Sequence, residues 1–142
     1  MTSDAPVAIV GGGFSGTMVA AQLARRGIGS VLIDGSGRLG RGVAFSTRQP
    51  AHLLNVRAEA MSAWPDDPQD FAKRFEGEGG DPRSFAPREL FGRYLGDILA
   101  EAQTSGRVST HAATACGASR DGDGWTVALD DGGSLSARAV VR

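Results

Sequence analysis

Val7-Ala8-Ile9-Val10-Gly11-Gly12-Gly13-Phe14-Ser15-Gly16 decides the fold of this 142-residue chain. Four consecutive apolar residues predict a strand buried on both faces, as parallel sheets require. Gly11-x-Gly13-x-x-Gly16 then opens a helix, and each glycine has a physical task. Gly11 permits the tight turn out of the strand, Gly13 has no Cβ to block a pyrophosphate, and Gly16 lets the helix pack closely. The helix start offers unpaired backbone N–H groups and the positive end of its dipole, which suit an anion. The spacing predicts a helix from Thr17 to Arg26 with Gly16, Ala20, Leu23 and Gly27 on one face, broken by Gly27-Ile28-Gly29. A second apolar strand, Val31-Leu32-Ile33, ends on Asp34, whose carboxylate can accept hydrogen bonds from ribose hydroxyls. Glycine-rich turns are common, but strand, helix, strand and acid in this order form a βαβ unit that fits the ADP half of a dinucleotide.

Past Asp34 the stretch from Gly35 to Ser46 is rich in glycine and carries Arg38 and Arg41, so an irregular loop is expected. Following a parallel strand, it belongs at the carboxyl edge of the sheet, where such folds bind ligands. His52-Leu53-Leu54-Asn55-Val56 leads to Trp64-Pro65-Asp66-Asp67-Pro68, a turn that predicts a short helix over 68–75. A longer helix is predicted over 87–100, with Leu90, Phe91, Tyr94, Leu95, Ile98 and Leu99 as its buried stripe. The remainder reads as four strands: 108–112, 114–119, 125–129 and a last one from Leu135 through Val141. Asp121-Gly122-Asp123-Gly124 and Asp130-Asp131-Gly132-Gly133 supply turns between them. The expected fold is therefore α/β, a Rossmann-like parallel sheet with an appended antiparallel β-meander. With no internal repeat and no evident linker, residues 1–142 are expected to form one dinucleotide-binding domain.

Fifteen basic residues against sixteen acidic ones give a net charge of −1, which argues against a nucleic acid as partner. Cys116 is the single cysteine, so no internal disulfide can form and a reducing compartment is the default. Residues 1–6 lack the basic and apolar regions of a signal peptide, and no apolar run approaches membrane-spanning length. Cytoplasm is the expected location. His52 and His111 have no acid or cysteine neighbours at metal-ligand spacing, so no metal site is expected. His111 is read as a structural histidine and Cys116 as a small buried thiol, while Arg88 and Tyr94 could contact a cofactor, with helix capping and core packing explaining them as well. No catalytic residue is named.

Four separated stretches carry a resemblance along nearly the whole chain. They are Ile9–Gly16, Gly40-Arg41-Gly42-Val43-Ala44-Phe45-Ser46, His52–Val56, and Phe85-Ala86-Pro87-Arg88 with Phe91-Gly92-Arg93-Tyr94-Leu95. In this order they resemble the N-terminal part of bacterial FAD/NAD(P)-binding oxidoreductases, distantly similar to flavin-dependent N-hydroxylating monooxygenases. The resemblance implies a flavoprotein of the type that binds two dinucleotides, with FAD as cofactor and NAD(P)H as reductant of the intact enzyme. It implies a cofactor-binding set of Gly11, Gly13, Phe14, Ser15, Gly16, Asp34, Arg41, Gly42, Asn55 and Ala115. Gly11, Gly13, Gly16 and Asp34 would hold the ADP half, Arg41-Gly42 and the Asn55 region would approach ribityl and flavin, and Ala115 would meet adenine. It also implies that Ala139-Val140-Val141 begins a strand beside Val7–Val10 and that the family's chains continue beyond it. A sheet cut short there would leave the first strand partly unpaired and prone to self-association. Three readings stay open: an FAD-dependent oxidoreductase, a dinucleotide-binding module completed by a partner chain, and an NAD(P)-binding domain in which Asp34 repels a 2′-phosphate. The first is favoured; the substrate is not legible.

Overall fold

Residues 5–36 and 52–142 are described by a computed structural model of the chain. The opening βαβ unit consists of strand β1 (Val7–Val10), helix α1 (Phe14–Arg25) and strand β2 (Ser30–Ile33). α1 begins three residues earlier than the glycine spacing predicts, because Gly13 in extended conformation already serves as the N-cap. A 3₁₀ turn (Ala58–Ala60), helix α2 (Asp70–Gly77) and helix α3 (Arg88–Thr104) follow. The last third supplies β3 (Val108–His111), β4 (Ala115–Asp121), β5 (Gly124–Leu129), β6 (Ser134–Ala137) and β7 (Ala139–Val141).

The strands divide between two sheets. A four-stranded sheet has the order β3-β2-β1-β7, and β4-β5-β6 form a three-stranded one. Every pairing in the first is parallel, with Ala8 opposite Val31 on one side and Val140 on the other. The second is an antiparallel meander.

The expected four-stranded meander is corrected at both ends. Val108–His111 pairs with β2 in the parallel sheet, and the apolar run from Leu135 splits at Arg138 into two strands serving different sheets. The split has a physical basis. Ser134-Leu135-Ser136-Ala137 alternates between exposed serines and buried or half-buried apolar residues, as a one-faced strand does. Ala139-Val140-Val141 is apolar throughout and half-buried at each position, as a strand in a parallel sheet is. At the crossing, the Arg138 N–H donates to Pro6 O at 3.0 Å. The strand that the resemblance places beside β1 is present: β7 pairs with Val7, Ala8 and Ile9.

Three layers result. On one face of the parallel sheet Val7, Ile9, Leu32 and Val108 pack against Ala20, Leu99 and Ala102 of α1 and α3. On the other, Ala8, Val31 and Ile33 pack against Val127, Leu129 and Ala137 of the meander. The helical side has a second core, where Phe71 of α2 meets Phe91 and Tyr94 of α3 at centroid distances of 4.9 and 5.1 Å.

Candidate dinucleotide site

The glycine loop sits at the carboxyl end of β1, as its sequence demands. Gly11 has a φ of +102°, a conformation that side chains disfavour, so the sharp exit from the strand needs glycine there. A Cβ at Gly16 would overlap the carbonyl oxygen of Gly11 and stand 3.3 Å from Ile9 Cγ2. The third glycine is thus set by the close approach of helix and strand. No side chain caps α1, and its first turn holds no acidic residue. An anion at this helix start would meet no competing carboxylate from α1 itself.

Asp34 leaves the tip of β2 and joins the glycine loop directly. Its Oδ2 accepts from the Gly12 N–H at 2.6 Å and its Oδ1 from the Ser36 N–H at 2.7 Å. From beneath, the buried Thr17 hydroxyl donates to Gly12 O at 3.3 Å. Backbone bonds complete the frame, with Gly11 N–H donating to Ile33 O and Asp34 N–H to His111 O, at 2.9 and 3.0 Å. Gly35 lies against the β3–β4 connection so closely that a Cβ would stand 2.8 Å from Thr114 Oγ1. Ala115, half-buried, opens β4 just beyond that connection.

Of the expected residues, the structure brings together Gly11, Gly13, Phe14, Ser15, Gly16 and Asp34, while Ala115 opens β4 beyond the β3–β4 connection. Phe14 is partly exposed, and its ring lies 6.1 Å from that of Phe91. Asn55 is exposed on a segment fastened to the start of α3, where Leu54 N–H donates to Ala86 O and Arg88 N–H to His52 O, each at 2.8 Å. The Arg88 guanidinium donates to Leu53 O at 2.9 Å, a structural contact. Arg41 and Gly42 lie outside the described residues. Tyr94 serves the core: its hydroxyl donates to Asp70 Oδ2 at 2.7 Å and accepts from Ala63 N–H at 3.1 Å. Burial, as the first cause, pushes this phenol up to about 12.

Other positions depart from the reading of the sequence or go beyond it. Cys116 is exposed, not buried, because β4 is the outer strand of the meander and a register shift falls at this residue. His111 is satisfied structurally, as expected, but through a partner the sequence did not reveal: its Nε2 lies 3.0 Å from Asp131 Oδ2. Gly12, Thr17 and Ser36 were also missed. Their parts are played mostly by backbone groups, which leave no signature in residue type. Among the described residues no cluster of metal-ligating side chains occurs, and no helix is long and apolar enough to cross a membrane.

A parallel sheet with a glycine-bearing turn into α1, an acid at the tip of the neighbouring strand and a meander on the opposite face defines a dinucleotide-binding α/β protein. Residues 8–141 match the FAD-NAD(P)-binding family, and the chain belongs to it. No curated protein sequence matches the chain. Among solved structures it is similar to an oxidised steroid monooxygenase bound to NADP, at 21% identity and a TM-score of 0.71, covering 96% of this chain and 25% of that one. A flavin monooxygenase from Stenotrophomonas maltophilia matches at 24% identity and a TM-score of 0.65, with coverages of 96% and 37%. A thioredoxin reductase from Gloeobacter violaceus matches at 19% and 0.58, with 96% and 33%. The chain therefore shares their fold and spans about a quarter to a little over a third of their lengths.

The residues present fit the family's cofactors, FAD and NAD(P). Gly11 faces open space, α1 begins without a side-chain cap or an acid in its first turn, and a carboxylate is fixed beside it.

Proposed function

We propose that this chain binds the ADP half of FAD and forms the cofactor domain of a flavin-dependent oxidoreductase that NAD(P)H reduces. The observation that carries the reading is the bond between the Gly12 N–H and the Asp34 carboxylate at 2.6 Å. It brings two different chemistries to one place: an uncapped helix start suited to a pyrophosphate and an acid suited to ribose hydroxyls. Gly11, Gly13, Phe14, Ser15 and Gly16 would surround the pyrophosphate, Asp34 the ribose and Ala115 the adenine. Arg41, Gly42 and Asn55 would approach the ribityl chain and flavin. FAD, when bound, supplies the electron chemistry; the protein orients it and tunes its surroundings. The whole span of 1–142 would act as one domain.

Titration of the intact protein with ADP and FAD tests this. A carboxylate accepting ribose hydroxyls contributes roughly 1.5–3 kcal/mol, so Asp34→Ala is expected to weaken ADP about ten- to a hundredfold. Gly13→Ala is expected to weaken ADP and FAD together, since both carry the pyrophosphate. Unchanged affinity in both variants would remove the assignment, and a purified protein without the visible absorption of oxidised flavin would count against FAD.

A further inference from the structure

The β5–β6 turn reaches back to the end of β3 and grips it from outside. Asp130 and Thr114 exchange two bonds: Thr114 N–H donates to Asp130 Oδ1 at 3.0 Å, and Asp130 N–H to Thr114 O at 2.9 Å. One residue further, Asp131 Oδ2 lies 3.0 Å from His111 Nε2, while Asp131 Oδ1 accepts from Gly133 N–H at 2.8 Å. On its inner side the same segment touches the acid loop. His111 O accepts the Asp34 N–H at 3.0 Å, and Thr114 Oγ1 occupies the space beside Gly35. Residues 111–114 are therefore clamped between the β5–β6 turn and Asp34-Gly35.

We propose that His111 and Asp131, with Asp130, are positioning residues that set the adenosine end of the site through His111 O and Thr114 without touching the nucleotide. The proposal rests on the ADP-binding reading above. Asp34 is oriented by its own backbone N–H as well as by Gly12 and Ser36, so freeing residues 111–114 loosens its carboxylate. The meander, otherwise only a cover for one face of the sheet, becomes a brace for the ligand edge. His111 and Asp131 are partly exposed, so their substitution leaves the core intact.

The test combines ADP titration with amide hydrogen exchange on the intact protein. Asp131→Ala and His111→Phe are expected to weaken ADP by about two- to fivefold, the upper part of the range for a partly exposed ion pair. They are also expected to speed exchange of the Asp34 N–H. His111→Gln keeps a donor near the position of Nε2 and is expected to restore both, which a loss of packing alone would not allow. If the wild type binds ADP and all three variants bind it equally, the brace is wrong while the site stands. If no form binds ADP, the site reading falls. The brace then stands on faster Asp34 exchange in Asp131→Ala and His111→Phe, and falls with it if exchange is unchanged.

Discussion

The two faces of the parallel sheet are covered by different means. On one side α1 and α3 lie over Val7, Ile9, Leu32 and Val108, and behind them stands a further aromatic core around Phe71, Phe91 and Tyr94. On the other, the meander places Val127, Leu129 and Ala137 over Ala8, Val31 and Ile33, with no second core behind it among the described residues. β4 shows the difference most plainly. Six of its seven residues are exposed, including Ala118, which pairs with the buried Val127. The helical face is a core with depth, whereas the meander face is a single apolar layer held at its rim by polar contacts to β3. Stability should therefore concentrate on the helical face, while the meander side acts on the ligand edge.

Truncating matched leucines on the two faces gives the largest effect. Leu32→Ala and Leu129→Ala each remove a buried leucine, a change that costs about 2–5 kcal/mol depending on how far the site collapses. Leu32 is fully buried between layers, so it should lie at the upper end, and Leu129, one layer from solvent, at the lower. Urea unfolding reads the difference, and equal costs would break the asymmetry.

Glycines sharpen it next. Gly16→Ala drives a methyl into the Gly11 carbonyl at the helix–strand contact, with an expected loss of about 1–3 kcal/mol from overpacking. Gly117→Ala in β4 meets nothing within 4 Å and should leave stability unchanged or raise it by about 0.4–1 kcal/mol, by restricting the unfolded chain. A destabilised Gly117→Ala in the same unfolding measurement would mean that β4 is covered in the intact protein.

Tyr94 gives the smallest expected effect and the most specific to the helical face. It is the only tyrosine of the chain, so tyrosinate absorbance reports it alone. Its phenol is pushed up to about 12 from an ordinary 10.0, chiefly by burial. The folded state thus favours the neutral phenol. That contribution is fully present below pH 10 and is lost as pH rises through about 12. Titration should show one step near 12 in the folded protein, and a step near 10 without unfolding would place the ring in water. Tyr94→Phe is expected to cost about 1 kcal/mol at neutral pH, because Asp70 and the Ala63 N–H lose their shared partner.

The sequence by itself determined the βαβ unit and the residue types at its turns. An apolar strand, the left-handed Gly11, the contact that excludes a side chain at Gly16 and the acid after β2 are local requirements, and each allows few residue types. The stripe of α3 was legible for the same reason, since its period belongs to the helix alone. Tertiary structure decided which strand pairs with which. Val108–His111 looks like a further strand of a meander until the parallel sheet claims it, because partner choice depends on contacts far apart in the chain, whereas the place of Ala139–Val141 beside β1 followed from the resemblance. It also exposed Cys116 and joined His111 to Asp131, twenty residues away. A turn of Asp-Asp-Gly-Gly announces only that the chain reverses, and where its carboxylates land is fixed by the packing of one sheet on another.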